Sequence, residues 1–508
     1  MTARGVSPAR AAAVGVLRDV LEKGKRATPT LTDRSAALGA ADANLMRELT
    51  LGVLRWKSAL DLELASSISF PLSRLAPNLR EILEVALYQI RFLDRVPDHA
   101  AVDEAVRQAR ESGGVRAAKF ANAVLRNLLR CSGAPVARAP AQELPLPPGE
   151  GRGEGAPVGS PGARKAGAPA QGLPLPSSFA LRASEDKPGE GRGEGESQAA
   201  KSLALAFSHP EFLVARWIER FGLEATRAIL QADNQPSDLD LLTNSRQGDR
   251  EALARALEAE GIETEVSSVS PLGLSVKRGN PLRSPLFAAG RFTVQDVGSQ
   301  ALSLLMPSGD TLVDLAAAPG GKSFAALLLG RARRAIALDR SPGRLRLVWE
   351  NRRRLQIGDV HPAAADVKSP PLPASRFERV LFDAPCSGTG TLRKNPEIRY
   401  RLTPAAIDRL ALAQRDGLRS AARLLAPGGY LLYSTCSLER EENEAVVDDV
   451  LSADPTLELA PIVAVPGLAP FVAGARFQML PGSSSDGFTA HLLRKRKAGH
   501  FAPTAPGK

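Results

Sequence analysis

The chain has 508 residues, 44% hydrophobic and 24% charged, with a formal net charge of +11. At about 150 residues per domain, that length predicts roughly three domains, each with enough apolar content for a core of its own. Three cysteines and five scattered histidines form no CxxC or HExxH pattern, which excludes a disulfide scaffold, points to a reducing compartment and argues against any metal site.

No run of about 18 uncharged apolar residues offers a membrane span, and the short apolar stretch Ala11–Leu17 runs directly into Arg18 and Asp19, unlike a signal peptide. A pI near 9.8 suggests a polyanionic partner, usually nucleic acid. The expectation is a cytoplasmic monomer.

Residues 5–131 read as entirely helical. Apolar residues recur at helical spacing in Leu45, Leu49, Val53, Trp56, Leu60 and Leu64, in Leu79, Ile82, Leu83, Ala86, Leu87 and Ile90, and in Phe120, Val124, Leu125, Leu128 and Leu129. Pro71, Pro77 and Pro97 punctuate the turns. Helices with one apolar stripe each assemble into an all-α bundle. Its basic residues suit a solvated face and RNA contact equally.

Residues 132–200 contain 13 Gly and 11 Pro, and the repeats PGEGRGEG (148–155, 188–195) and APAQxLPLP (139–147, 168–176). Such sequence buries too little apolar surface to offset its ordering entropy, so a disordered insert is expected. Its 7 basic and 8 acidic residues argue against an RNA-binding tail. Outside it the basic excess is shared, +6 on residues 1–131 and +6 on 201–508.

Residues 201–292 mix helix signals (Glu211–Gln231, Arg250–Glu260) with strand-like runs (Leu239–Thr243, Gly273–Val276), predicting a small α+β module. From 293 to 496 the apolar runs Thr311–Leu315, Ala335–Leu338, Arg379–Phe382 and Gly429–Ser434 alternate with helical stretches. This predicts a doubly wound α/β domain with buried parallel strands. A flexible tail, 497–508, follows.

Ligands in such sheets bind beyond the carboxyl ends of the strands, where four segments fall. In DLAAAPGGKS (314–323), Gly320 and Gly321 let backbone approach a ligand and the next helix offers its amides. Asp339 lies 19 residues after Gly320 at a strand end, suited to two ribose hydroxyls. FDAPCSGTG carries Asp383 and Cys386, and YSTCS carries Cys436. A P-loop needs Gly at 316, where this chain has Ala316, so an NTPase is excluded. Two of only three cysteines beside polar turns at strand ends are poor core filler.

A nucleoside cofactor, no metal and two thiols suit methylation of cytosine C5. A thiolate added to C6 makes C5 enamine-like, so that C5 accepts a methyl group from S-adenosylmethionine, and a second group helps remove the C5 proton. Asp383, protonated or sharing a proton with N3, stabilises the adduct. Both thiols are expected to have depressed pKa values.

The motifs AAAPGGK, DAPCSGTG, RKNPEIR (393–399) and STCSLEREEN (434–443) resemble the signatures of the Sun/Nop family of RNA cytosine-C5 methyltransferases. KFANAVLRNLLR (119–130) resembles the NusB-like domain of its bacterial branch, which modifies 16S rRNA. The resemblance covers residues 5–131 and about 205–495. It implies an N-terminal NusB-like RNA-binding bundle and a C-terminal Rossmann-like methyltransferase domain using S-adenosylmethionine. It further implies Cys436 as nucleophile and Cys386 in product release. The implied cofactor site is Ala316, Ala317, Ala318, Pro319, Gly320, Gly321, Lys322, Asp339, Asp366 and Asp383, with Asp366 receiving the adenine amino group.

Two features depart from the family: Ala316 stands where Cys is usual, and the insert is foreign. The implied partner is RNA, chiefly 16S rRNA, with no DNA. The same chemistry on tRNA, or a NusB-like antitermination protein with an idle methyltransferase domain, are the rival readings. The intact Cys436, Cys386, Asp383 and Gly-Gly-Lys count against idleness.

Overall fold

The helical periodicities near the N-terminus are realised, in the computed structural model, as α1 (Pro8–Leu21), α2 (Ala27–Ser35), α3 (Ala40–Ser66), α4 (Pro77–Phe92) and α5 (Asp98–Cys131). The structure describes residues 5–131, 192–463, 465–482 and 485–497. Proline in the first turn of α1 and α4 pre-sets the helical φ where no intrahelical donor is needed. Leu49, Val53, Leu60 and Leu64 of α3 are buried, as are Leu83, Ala86, Leu87 and Ile90 of α4. Each large side chain so buried contributes about 1.5–3 kcal/mol.

Most of the expected insert, residues 132–191, lies outside the described residues. Its last nine residues do not conform to the expectation: 192–200 are helical, forming the start of α6 (Arg192–Phe207). Ala200, Leu203, Ala204 and Phe207 form a buried stripe. A helix nucleated on that stripe extends backward at low cost, because each added residue gains a hydrogen bond. The single helix expected over Glu211–Gln231 is two, α7 (Glu211–Phe221) and α8 (Leu223–Asp233), separated by Gly222 at φ +82°. Helices α1–α8 make up the first of two compact units, and the second begins at residue 235.

The second unit opens with a small antiparallel sheet of β1 (Leu239–Thr243), β2 (Glu263–Val266), β3 (Gly273–Arg278) and β4 (Phe292–Val294), ordered β2-β3-β1-β4. α9 (Arg250–Ala259) packs on it through Leu253 and Leu257, against Leu241, Leu274 and Phe292. The short α10 (Pro285–Ala288) leads into β4. β2 escaped the sequence reading because Glu263–Val266 is a charged, largely exposed edge without apolar alternation.

The catalytic-size domain follows as α11 (Val297–Leu305), β5 (Thr311–Asp314), α12 (Gly321–Leu328), β6 (Arg334–Asp339), α13 (Pro342–Arg354), β7 (Val360–Ala364), β8 (Phe377–Asp383), α14 (Pro404–Leu424), β9 (Leu425–Thr435), α15 (Glu444–Ala453), β10 (Leu457–Leu459), β11 (Val472–Ala473), β12 (Arg476–Met479) and β13 (Phe488–Lys495). Strand order is β11-β12-β13-β9-β8-β5-β6-β7, with β10 beside β13. Strands β5 to β9 pair in parallel, as expected of a Rossmann-like domain. β10 to β13 are antiparallel, so the sheet is mixed. The short connection between β12 and β13 cannot make a parallel crossover.

Strand alternation sends Leu312, Ala337, Leu381 and Leu432 to one face, under α11, α12 and α13. Val313, Leu338, Val380, Phe382, Leu431 and Tyr433 go to the other, under α14 and α15. Among the described residues no helix is long and apolar enough to cross a membrane. The expected tail lies outside the described residues from 498 onward.

Gly417 of α14 shows how tightly that second face is packed. A Cβ there would sit 2.5 Å from Phe382 Cζ. Gly417→Ala gains about 1 kcal/mol of helix propensity, but overpacking against a rigid ring costs about 1–3 kcal/mol. A lowered denaturant midpoint is expected, with recovery when Phe382→Leu is added; a midpoint raised by Gly417→Ala alone would contradict the packing.

Candidate active site

The order β7-β6-β5-β8-β9 reverses between β5 and β8, because the chain leaves β5 toward β6 and β7 before returning to β8. At such a switch point the loops part and open a crevice above the strand ends. Asp314, Asp339, Asp383 and Thr435 are the last residues of β5, β6, β8 and β9.

Above β5, the Asp314 carboxylate accepts from Ser323 Oγ at 2.7 Å and from the Ala316 amide at 3.4 Å. Burial pushes its pKa up to about 6; the Ser323 hydrogen bond opposes that shift and the Asp383 charge adds to it. This clamp fixes the turn Ala316–Ala317–Ala318–Pro319 between strand and helix. Gly320 closes it at φ +100°, where a Cβ would also meet the Phe324 ring at 2.6 Å. No side chain caps α12, so its first amides are left without a side-chain acceptor at the mouth of the loop.

Asp339 is buried at the end of β6. It accepts from the Ser341 amide at 2.9 Å and the Ala318 amide at 3.3 Å, and pairs with Arg344 at 3.1 Å. Arg344 also donates to the Ala318 carbonyl. A carboxylate has about four acceptor sites, so capacity remains for a ribose hydroxyl. Asp366 stands on the exposed loop after β7, its carboxylate accepting from the Lys368 amide at 2.9 Å.

The register of β8 on β9 sets Asp383 opposite Ser434. The loops leaving these strands therefore run side by side, and Cys386 Sγ lies 3.2 Å from Cys436 Sγ. Asp383 accepts from Lys322 Nζ at 2.7 Å and from Ser434 Oγ at 2.8 Å. Burial opposes the Lys322 charge, yet Asp383, with help from Asp314 and Cys436, holds its pKa above the ordinary value. The structure thus brings Lys322, Asp383, Cys386 and Cys436 together, with the Ala316–Gly321 loop and Asp339 on one side and Asp366 further out.

For Cys386 the expectation of a depressed pKa is wrong. Its hydrogen bond to Cys436, then burial, then the charges of Cys436, Glu442 and Asp383 push it well above the usual thiol range. No loop amide offsets these.

Glu442 was not anticipated. Fully buried, its carboxylate accepts from the Ser387 amide at 2.8 Å, Gln414 Nε2 at 2.9 Å and Ser437 Oγ at 2.6 Å, and also from Ser387 Oγ. Ser387 and Ser437 each follow one of the paired cysteines, so one carboxylate pins both thiol loops. Gln414 carried a readable signal, being a lone polar residue on the apolar stripe Ile407, Ala411, Leu418 of α14. The RKNPEIR segment is anchored similarly: Arg393 pairs with Asp486 at 3.2 Å, and Lys394 with Asp486 at 3.0 Å and with Asp296.

Because Cys436 is the foremost cause of the raised Cys386 pKa, iodoacetamide should label Cys386 far more slowly at pH 8 than the exposed Cys131. In Cys436→Ala the alkylation profile of Cys386 should move to lower pH. Peptide mapping that finds Cys386 labelled as fast as Cys131 would contradict this charge coupling.

Residues 301–494 match the family described as 16S rRNA methyltransferase RsmB/F, residues 7–130 the NusB family, and residues 209–283 the ferredoxin-like domain of RsmF/B-like methyltransferases. The chain is 30% identical over 472 residues to the probable ribosomal RNA small subunit methyltransferase B of Bacillus subtilis, covering 91% of this chain and 93% of that one. It is 29% identical to ribosomal RNA small subunit methyltransferase B of Pasteurella multocida, covering 96% of each. The fold is that of the crystal structure of PH0851, with TM-score 0.69 and 23% identity over 96% of this chain and 99% of that one. The chain therefore belongs to the RsmB/F family of rRNA methyltransferases and carries the family's N-terminal NusB-like domain.

Proposed function

We propose that the chain forms 5-methylcytosine in 16S rRNA through a covalent adduct between Cys436 and cytosine C6. S-adenosylmethionine is the cofactor, and when bound it supplies an electrophilic methyl group. The Ala316–Lys322 backbone, Asp339 at the ribose and Asp366 at the adenine amino group are the residues that would hold it. The small-subunit substrate is supported by the relatives named as small subunit methyltransferases.

The Cys436 thiolate adds to C6, forming a C–S bond and moving the C5–C6 electron pair onto the ring. Asp383, protonated or sharing a proton with N3, gives that proton to N3 as negative charge develops there, and the Lys322 ammonium at 2.7 Å stabilises the carboxylate left behind. C5 would then take the methyl group that the bound cofactor supplies, the methyl–sulfur bond breaking with its electron pair left on the cofactor sulfur. Once Cys436 is a thioether, its charge no longer holds the Cys386 proton, which leaves to water. The Cys386 thiolate takes the C5 proton, the C–S bond breaks, and the Cys436 thiolate is restored.

The observation that carries this reading is the 3.2 Å thiol pair above β8 and β9, next to the switch point, with Cys386 the member that keeps its proton. Two inert core thiols have no reason to lie beside Asp383 and Lys322.

Denaturing gels of three variants incubated with 16S rRNA and S-adenosylmethionine test it. Cys386→Ala should accumulate a covalent protein–RNA complex that requires S-adenosylmethionine. Cys436→Ala should neither methylate nor trap RNA, and Asp383→Ala should lose methylation without trapping. A complex trapped by Cys436→Ala would exchange the two roles, and near-wild-type turnover by both cysteine variants would refute covalent catalysis. Bisulfite sequencing of 16S rRNA from cells with and without the protein should reveal a cytosine protected only in its presence.

A further inference from the structure

Helix α13 has a composition that neither its packing nor the cofactor explains. Residues 340–354 hold six arginines against one acidic residue, Glu350. Leu345 and Val348 bury its inner face against the sheet. Arg354 is also turned inward, donating to the Phe287 and Phe292 carbonyls and lying over the Phe287 ring. Arg344 is used on Asp339 and Ala318.

The outward stripe is different. Arg346, Trp349 and Arg353 follow at spacings of three and four, so they lie on one line along the helix. All three are exposed. Trp349 is 44% exposed, and among the described residues it is the one aromatic among the large exposed hydrophobic side chains.

The indole is held in place. The Arg352 guanidinium lies 5.1 Å from its ring centroid and is itself fixed to the Gly358 carbonyl at 2.7 and 3.2 Å. Such an anchored stack orients the ring at little entropic cost on binding. Arg346 pairs with Glu350 at 2.9 Å, but both are exposed, and an exposed pair of this kind contributes little and yields readily to a phosphate.

We infer that the Arg346–Trp349–Arg353 face of α13 is a docking surface for an unpaired stretch of the RNA substrate, one base stacking on Trp349 while Arg346 and Arg353 hold the flanking phosphates. A pre-oriented aromatic ring between cations is the arrangement that single-stranded nucleic acid recognition uses: a π-face for any base and charge for the backbone. The inference rests on RNA being the substrate. It extends that reading to a surface outside the thiol pocket, on the helix whose first turn braces the cofactor loop through Arg344.

Titration of the full chain with a short oligouridylate, followed by tryptophan fluorescence, tests it. Quenching is expected in the wild type and should be largely lost in Trp349→Phe, which leaves Trp56 and Trp217 as reporters. Trp349→Ala should weaken binding about tenfold, and Trp349→Phe, which keeps a stacking ring, much less. In Arg346→Ser/Arg353→Ser, the slope of log affinity against log salt should fall by about 1.4, two phosphate contacts on a single strand.

KM for 16S rRNA should rise in the Trp349→Ala and double-arginine variants while kcat, S-adenosylmethionine affinity and melting temperature stay at wild-type values. A wild type that binds neither oligouridylate nor 16S rRNA would refute the RNA reading itself. A wild type that binds while Trp349→Ala and the double variant bind equally well with unchanged salt slope would overturn the α13 surface alone. Loss of a protein partner with RNA affinity intact would likewise overturn it.

Discussion

The placement of the two thiol loops depends on one buried carboxylate. Glu442 has no exposure to water, and an uncompensated charge in that setting would cost several kcal/mol. The compensation comes from donors on three separate segments: Ser387 after β8, Gln414 on α14, and Ser437 after β9. Those segments can satisfy Glu442 only if the two loops carrying the thiols lie against each other. The 3.2 Å approach of the sulfurs is therefore a consequence of satisfying a buried charge, reinforced by the Gly390 amide on the Cys436 carbonyl at 2.9 Å. Tyr433 adds a further tie, donating from its hydroxyl to the Glu442 carbonyl at 2.6 Å.

The sheet determines what the thiols face. Because the strand order reverses at β5 and β8, residues 60 or more positions apart meet above two adjacent strands. Lys322, at the start of α12, reaches Asp383 at the end of β8, so the glycine-rich loop after β5 and the end of β8 share one ion pair. Asp314 lies below both and is fixed to the same helix through Ser323. A change in any of these groups is felt by the others, since paired charges in a half-buried cleft are poorly screened.

Much of this was legible in the sequence. Local signals with a strong physical cause came through: β1 was read at Leu239–Thr243, where it occurs, and the strands carrying Asp314, Asp339 and Asp383 were placed by their apolar runs. What escaped notice depends on partners distant in sequence. The helical state of residues 192–200 depends on a buried stripe further along α6, while their own Gly and Glu content reads as disorder. The antiparallel strands β10, β11 and β12 are only two to four residues long, and the pairing of β13, which they flank, follows from the edge that β9 leaves open. Glu442 lay in plain view inside LEREEN, but nothing local distinguishes a hub carboxylate from a solvated one; the donors that identify it come from 28 and 55 residues away.

The raised Cys386 pKa illustrates the same limit and has the larger chemical consequence. Nucleophilic thiols were expected to be depressed individually, a reading that treats each cysteine alone. At 3.2 Å the two sulfurs cannot both carry charge without strong mutual repulsion, and the neighbouring Cys436 is what holds the proton on Cys386. In the proposed reaction, a C–S bond at Cys436 would remove the hydrogen-bonding partner that is the foremost cause of the Cys386 shift. In the proposed cycle, base strength at Cys386 is thus acquired only after Cys436 has attacked. The order of steps in that proposal rests on the closeness of the two sulfurs, which the Glu442 network holds in place.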